Sequence, residues 1–208
     1  MAKEVHLTIP ISREQAEALE PDDIVYLSGI CYSFLYREHH TGLLEALDKG
    51  EPYPVDLRDG VAYHTGAIYE KNEDGSYRIL SIGSTTSAKF NDLTPALIAK
   101  SGVRALIGKG GMDDAVLEAM QEYGCVYLAA CGGGSSFYLP AITILEDLLP
   151  EEQLDTCNQR LKLRLDHAGP YFVAMDAHGR SVYREVDAET GRRKEQIFRA
   201  LGISQPEE

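Results

Sequence analysis

The chain has 208 residues, and its 44% hydrophobic content supplies enough apolar material for a full core, which disfavours wholesale disorder. Its formal net charge of −13 argues against a nucleic-acid partner, because surfaces that bind phosphate need clustered positive charge. No apolar run has membrane-spanning length, and the N-terminus lacks the apolar core of a secretory signal. We therefore expect no membrane partner and a cytoplasmic location.

The first third of the chain is predicted to be rich in strands. Residues 6–11 form a short extended segment with Pro10, which favours an edge strand or a strand end. Ser12 can cap a short helix that runs through Ala18, and residues 23–30 predict a second strand. A helical pattern follows, with its leucines on one face and Gly50 as its stop.

A hairpin is predicted in the middle of the chain. Residues 61–69 have the pattern of a strand interrupted by Gly66, and residues 72–75 (N-E-D-G) are typical of a hairpin turn. The turn leads into the strand at residues 76–82.

Three units of strand, loop and helix are predicted from there onward, with strands at residues 77–82, 103–107 and 125–130. Pro95 and Gly102 mark the ends of the first helix, while the second runs from Asp113 to a stop at Gly124. The third helix is predicted within residues 139–149. Three such units imply parallel strands joined by right-handed crossovers, which places their loops at one edge of a sheet.

The last quarter of the chain is predicted to return to strands. A charged link at residues 151–160 precedes a turn-prone stretch at residues 166–170. Strands at residues 171–175 and 181–186 then form a hairpin. The expected organisation is a single domain over residues 1–186 and a polar tail over residues 187–208 that could end in a short helix.

The loops after the first two strands read G-S-T-T-S-A-K (residues 83–89) and G-K-G-G (residues 108–111). Their small residues and hydroxyls let backbone N–H groups approach an anion closely, so we predict a site for a small anionic molecule. The second loop is not a nucleotide-binding P-loop, because Gly110 stands where the magnesium-binding hydroxyl is needed.

Two groups of side chains could carry chemistry. A threonine of the T-T-S segment can act as acid or base only if neighbours hold its charge, which Lys89 and Lys109 could do; helix capping and solvated lysines are the alternatives. Arg37 could grip a carboxylate and His39 could move protons near neutral pH, although an exposed helix face is equally consistent with that sequence.

The four cysteines, at positions 31, 125, 131 and 157, show no C-x-x-C spacing. We therefore expect free thiols rather than disulfides, and no metal site built by this chain alone.

Six segments together resemble a known family. They read I-P-I near the N-terminus, D-I-V-Y-L-S-G, G-E-P-Y-P-V-D-L, G-S-T-T-S, I-G-K-G-G-M and H-A-G-P-Y-F-V-A-M-D-A-H-G. In unbroken order, over roughly residues 7–186, they are similar to the β subunit, or C-terminal domain, of class I (iron–sulfur) fumarases and L(+)-tartrate dehydratases.

The resemblance implies an α/β fold of the swivelling β/β/α type, with a parallel βα portion and a strand-rich portion. It also implies a hydro-lyase that reversibly adds or removes water on a small dicarboxylic hydroxy-acid. In such enzymes a separate α subunit carries a four-iron cluster, so no cofactor is expected on this chain. The assembly would be a homodimer of β chains or an α2β2 heterotetramer.

Site roles follow from the resemblance position by position. Thr85 is similar to the family's catalytic base, and Lys109 to the lysine of its G-K-G-G motif. The residues implied in substrate binding are Arg37, His39, Ser84, Thr86, Lys89 and Gly110.

Three positions depart from the family pattern. Lys89 replaces the arginine of G-P-T-T-S-x-R-M, and Ala67 replaces the proline of a G-P pair. Without a gap, the arginine of R-D-x-x-H falls on Leu35, and a two-residue slip would bring Arg37 into that role. The changes suggest a substrate other than fumarate. Alternatives are a stand-alone small-anion-binding or regulatory protein that has lost the chemistry, or an enzyme of different chemistry in the same pocket.

Overall fold

The structure, a computed structural model, describes residues 2–149 and 159–202. Its strands are β1 (Glu4–Thr8), β2 (Ile24–Ser33), β3 (Val61–Tyr63), β4 (Thr65–Lys71), β5 (Tyr77–Ser84), β6 (Ala105–Gly108), β7 (Val126–Ala129), β8 (Ile142–Asp147) and β9 (Leu161–Met175). Its helices are α1 (Arg13–Glu17), α2 (Arg37–Lys49), α3 (Thr94–Ser101), α4 (Asp114–Tyr123), α5 (Ser135–Tyr138) and α6 (Val182–Leu201). Two short 3-10 turns cover Ser87–Phe90 and Leu139–Ala141. Cys157 and most of the predicted charged link lie outside the described residues.

Seven strands form one mixed sheet in the order β1-β2-β3-β6-β7-β9-β8. β1, β2, β3, β6 and β7 run parallel, whereas β9 is antiparallel to its neighbours. Because β9 pairs with β2 as well as with β7, five strands close into a ring. The predicted α/β class is confirmed; β1 is an edge strand, and Pro10 lies just beyond its end.

The sheet separates two apolar clusters, because side chains alternate between its faces along each strand. In β6, Ala105 and Ile107 pack into the cluster shared with β4, β5, β8 and β9. Between them, Leu106 points to the other cluster, against α3 and α4. Both clusters consist of nearly inaccessible side chains, so the sheet is covered on both faces.

The predicted helix boundaries at the front and middle of the chain are confirmed. Ser12 caps α1 and forms a reciprocal capping box with Gln15. α2, α3 and α4 end at Gly50, Gly102 and Gly124, each in the left-handed conformation that suits a helix C-cap.

The hairpin is confirmed, but its place in the sheet differs from the prediction. β5 pairs antiparallel with β4, and the two strands form a separate sheet, so residues 77–82 do not begin a parallel βα unit. The break before β4 falls at His64 rather than at Gly66. His64 turns out of β3, and its N–H donates to the carbonyl of Ile107 in β6.

The helix predicted within residues 139–149 is wrong. That segment contains a 3-10 turn and then β8, which pairs antiparallel with β9. Ile142 and Ile144 are buried while Thr143 between them is exposed, and this period of two fits a strand on a covered face. Only β6 and β7 therefore bring their loops to a shared carboxyl edge as predicted.

Two predictions near the C-terminus are also wrong. Residues 166–170 are not a turn between elements but the bulged middle of β9, whose register against β2 shifts on both sides of Leu27. Residues 181–186 are not a strand, because Ser181 caps α6 and accepts the N–H of Arg184. This helix crosses the boundary expected at residue 186. In the described part of the chain, no helix combines the length and apolar character needed to cross a bilayer.

Candidate functional site

An open cleft of about 370 Å3 lies between the β4–β5 hairpin, the loop after β2 and the end of β6. Thr85, Ser84 and Lys109, three of the predicted site residues, line it. The other lining residues are Leu35, Tyr36, Gly66, Ala67, Ile68, Ser81, Gly83 and Gln159.

Backbone hydrogen bonds hold the T-T-S segment and the lysine loop together. The Lys109 N–H donates to the carbonyl of Thr85 at 3.2 Å, and the Ser87 N–H donates to the carbonyl of Lys109 at 3.1 Å. The Thr85 N–H donates to the carbonyl of His64 at 2.7 Å. Two loops from distant parts of the chain therefore form one wall of the cleft, with Thr85 and Lys109 half-buried on it.

The side chain of Ser84 contacts Tyr63 and does not cap a helix. Its hydroxyl is 3.1 Å from the buried hydroxyl of Tyr63, at the end of β3. Thr86, Lys89 and Gly110 are exposed and do not line the cleft, although they flank residues that do.

Arg37 is engaged outside the cleft. Its guanidinium makes two hydrogen bonds to the carboxylate of Asp92, at 2.9 and 2.6 Å, and a third to the carbonyl of Lys89. The bidentate hydrogen bonding with Arg37 lowers the pKa of Asp92. Leu35, instead, faces the cleft and packs against Gly66, where an added Cβ would stand 2.6 Å from a Leu35 methyl carbon.

His39 is buried rather than presented to the cleft. Only 2% of its surface is exposed, and its Nδ1 accepts the N–H of Leu35 at 3.2 Å. Burial lowers its pKa to about 4, so the imidazole is neutral at physiological pH. In this position His39 holds the backbone of Leu35 by a hydrogen bond and does not line the cleft.

Gln159 is a cleft residue that the sequence analysis missed. Its amide makes two hydrogen bonds of 2.7 Å to the N–H and the carbonyl of Ala67, across 92 residues of sequence. On this edge of β4, where the described residues place no strand, a side chain thus takes up the hydrogen bonds of the backbone. Nothing in the local sequence marks this role, because a glutamine within a charged link is typical of solvent-exposed chain.

The described residues offer no metal site: nowhere do three or more His, Cys, Asp or Glu side chains gather closely enough to hold an ion. Cys31 and Cys125 are buried, and burial raises the pKa of both thiols, that of Cys125 to about 12, whereas thiolates are the form that binds metals. Cys131 is exposed. The described residues therefore do not fit an iron–sulfur cluster bound by this chain alone.

Residues 1–186 match the family model described as "Fumarase C-terminus". The chain belongs to this family. A putative L(+)-tartrate dehydratase subunit beta of Methanocaldococcus jannaschii is 36% identical over 177 residues, which cover 85% of this chain and 90% of that protein. The L(+)-tartrate dehydratase subunit beta of Escherichia coli K12 is 27% identical over 188 residues, with 86% of each chain covered.

A putative class I fumarate hydratase of Geobacillus stearothermophilus is also similar, at 33% identity over 185 residues. The alignment covers 88% of this chain but 34% of that protein, so the chain corresponds to about a third of that relative's length. The resemblance found in the sequence motifs is thereby confirmed at the level of the family: the chain is a relative of hydro-lyase β subunits.

Proposed function

We propose that the chain is the β subunit of a hydro-lyase that reversibly adds or removes water on a small dicarboxylic hydroxy-acid. The proposed partner is a separate α subunit with a four-iron cluster, in an α2β2 assembly. The observation that carries the proposal is the pairing of Thr85 with Lys109 on one wall of the cleft. The names of the relatives support the same chemistry.

Thr85 is the group we assign to proton transfer. A threonine hydroxyl has a pKa far above neutrality, so it exchanges a proton with substrate only where positive charge stabilises the oxygen that remains. Lys109 brings an ammonium group to the same wall, while Ser84 adds a hydroxyl that can donate to a substrate oxygen. The partner's cluster would supply Lewis acidity when bound.

The distribution of charge in the cleft indicates how a dicarboxylate would be oriented there. Lys109 is the one charged side chain among the described residues that line it, and Leu35, Ala67 and Ile68 contribute apolar lining. We therefore propose that Lys109 holds one carboxylate and that the second points out of the open cleft, toward groups of the α subunit.

The decisive experiment is anaerobic co-expression with a candidate cluster-bearing α subunit, followed by assays of the co-purified complex on fumarate, malate and tartrate. In an active complex, Thr85→Ala should lower kcat by about 100-fold or more, because a positioned acid or base contributes that much. Thr143→Ala, which removes a hydroxyl from an exposed position on β8, is the matched control and should leave kcat unchanged. Equal turnover in the Thr85→Ala complex and the wild type would refute the assignment.

A second candidate is a stand-alone small-anion-binding or regulatory protein. The contact of Leu35 with Gly66 favours it, because an apolar side chain fills cleft space where the family pattern has an arginine. Titration of the isolated chain with malate or tartrate would distinguish the two. Binding that Lys109→Met abolishes, together with failure to form any complex, would favour this candidate.

A further inference from the structure

A buried chain of hydrogen bonds runs directly beneath the wall that carries Thr85 and Lys109. The hydroxyl of Tyr127 lies 2.9 Å from that of Ser87, which lies 2.8 Å from Nδ1 of His64. Nε2 of His64 is 3.4 Å from Nε2 of His40, whose Nδ1 is 3.1 Å from the carbonyl oxygen of Tyr36. Side chains from β7, the first 3-10 turn, α2 and the residue between β3 and β4 thus meet beneath the cleft.

The carbonyl of Tyr36, at one end of this series, determines which atom donates in each of its hydrogen bonds. A carbonyl only accepts, so His40 donates from Nδ1 and, when neutral, accepts at Nε2. His64 must then donate from Nε2 and accept at Nδ1 from the hydroxyl of Ser87. The Ser87 oxygen in turn accepts the hydroxyl proton of Tyr127. In this arrangement each of the four side chains donates one hydrogen bond to the next group of the series.

Both imidazoles must be neutral for the arrangement to hold. If His40 gained a proton, two N–H groups would face each other across the gap to His64. Burial lowers the pKa of His40 to about 4 and that of His64 well below its usual 6.5. The charged groups facing His40 are Arg37 and Asp92, which neutralise each other, and the ring of Phe90 stacks on it at 4.3 Å.

His64 connects this chain to the cleft through its backbone. Its N–H donates to the carbonyl of Ile107, and its carbonyl accepts the N–H of Thr85, both at 2.7 Å. Its side chain also accepts from Ser87, two residues beyond Thr85. One residue therefore makes contact with the end of β6, just before Lys109, and with both ends of the T-T-S segment.

We propose that His64 is a positioning residue, and that the series of hydrogen bonds from Tyr127 to His40 sets the placement of Thr85 and Lys109 in the cleft. The catalytic consequence rests on the proposed function, whereas the placement itself does not.

The tautomers provide a test that does not depend on activity. Long-range 1H–15N spectra of the chain labelled with 15N-histidine distinguish Nδ1–H from Nε2–H imidazoles, and His64→Asn and His40→Asn assign the two among the six histidines. Near neutral pH we expect His64 as the Nε2–H tautomer and His40 as the Nδ1–H tautomer, both uncharged. The reverse tautomers, or a charged ring at either position, would overturn the proposal.

Removing one hydroxyl tests the link to the cleft. Tyr127→Phe should shift the backbone amide signals of Thr85 and Lys109. Tyr53→Phe is the matched control, because the Tyr53 hydroxyl is buried without a hydrogen-bond partner in the described residues, and it should leave those signals in place. Unmoved signals in Tyr127→Phe would overturn the proposal.

In an active complex, Tyr127→Phe should lower kcat by about fivefold or more with little change in KM, because a misplaced catalytic group costs rate. A purely structural role would lower the melting temperature and leave kcat per folded molecule unchanged. A complex with no turnover on any substrate, but with the expected tautomers and shifts, would refute the proposed function and support the positioning role.

Discussion

Gly108 is where the hydrogen-bond chain leaves no room for a side chain. A Cβ at this position would stand 1.9 Å from Oγ of Ser87, 3.0 Å from the hydroxyl of Tyr127 and 3.3 Å from Nδ1 of His64. Favourable contacts between heavy atoms begin near ~3.5 Å, so the Ser87 hydroxyl would have to move by roughly 1.5 Å. It would thereby lose both of its hydrogen bonds.

The cost of Gly108→Ala can be worked out from these losses. Two buried hydrogen bonds contribute about 1 kcal/mol each, and overpacking a tight core costs a further ~1–3 kcal/mol. The free energy of unfolding should therefore fall by roughly 3–5 kcal/mol, a large part of the 5–15 kcal/mol that is typical of a domain of about this size. The backbone at Gly108 has an ordinary negative φ, so the effect is steric and not conformational.

Urea unfolding followed by circular dichroism measures this change. Gly132→Ala, in the loop that follows β7, is the control, since the nearest neighbour of an added Cβ would be 4.0 Å away and little change is expected. In Gly108→Ala/Ser87→Ala the clashing oxygen is absent, so the double variant should be more stable than the two single effects predict by addition. A loss below about 1 kcal/mol for Gly108→Ala, or strict additivity, would refute the steric argument.

Two further predictions concern stability. Because burial lowers the pKa values of His39 and His40 to about 4, the unfolded chain, with values near 6.5, takes up protons first as the pH falls. Stability should therefore be greatest above about pH 6.5 and decrease by about 2 kcal/mol for each histidine between about pH 7 and 5, and a flat profile of urea midpoints would contradict this. Gln159→Glu keeps an acceptor for the Ala67 N–H but sets a carboxylate oxygen against the Ala67 carbonyl, so it should cost about 2–4 kcal/mol in urea unfolding. Gln121→Glu, on the exposed face of α4, should change stability little, and equal effects from the two variants would argue against the double contact.

The amino-acid sequence by itself determined the features whose causes lie within a few residues. Ser12 and Gln15 form their capping box inside one turn of helix, and Gly50 stops α2 through its own backbone conformation. The hairpin turn before β5 is equally local, because the Asn72 N–H bonds to the carbonyl of Ser76. The T-T-S and G-K-G-G motifs likewise predicted two loops that the fold brings to one cleft.

Tertiary structure decided the features whose partners are far apart along the chain. Residues 142–147 have apolar spacing compatible with helix or strand, and pairing with β9 selects the strand. Arg37 was an open candidate for the cleft until the fold set Asp92, 55 residues away, against its guanidinium. His64, a residue inside a predicted strand, acquires its role because Ser87, His40 and Ile107 converge on it. Caps and turns act over about one turn of chain, whereas burial and strand pairing depend on residues that only folding brings together.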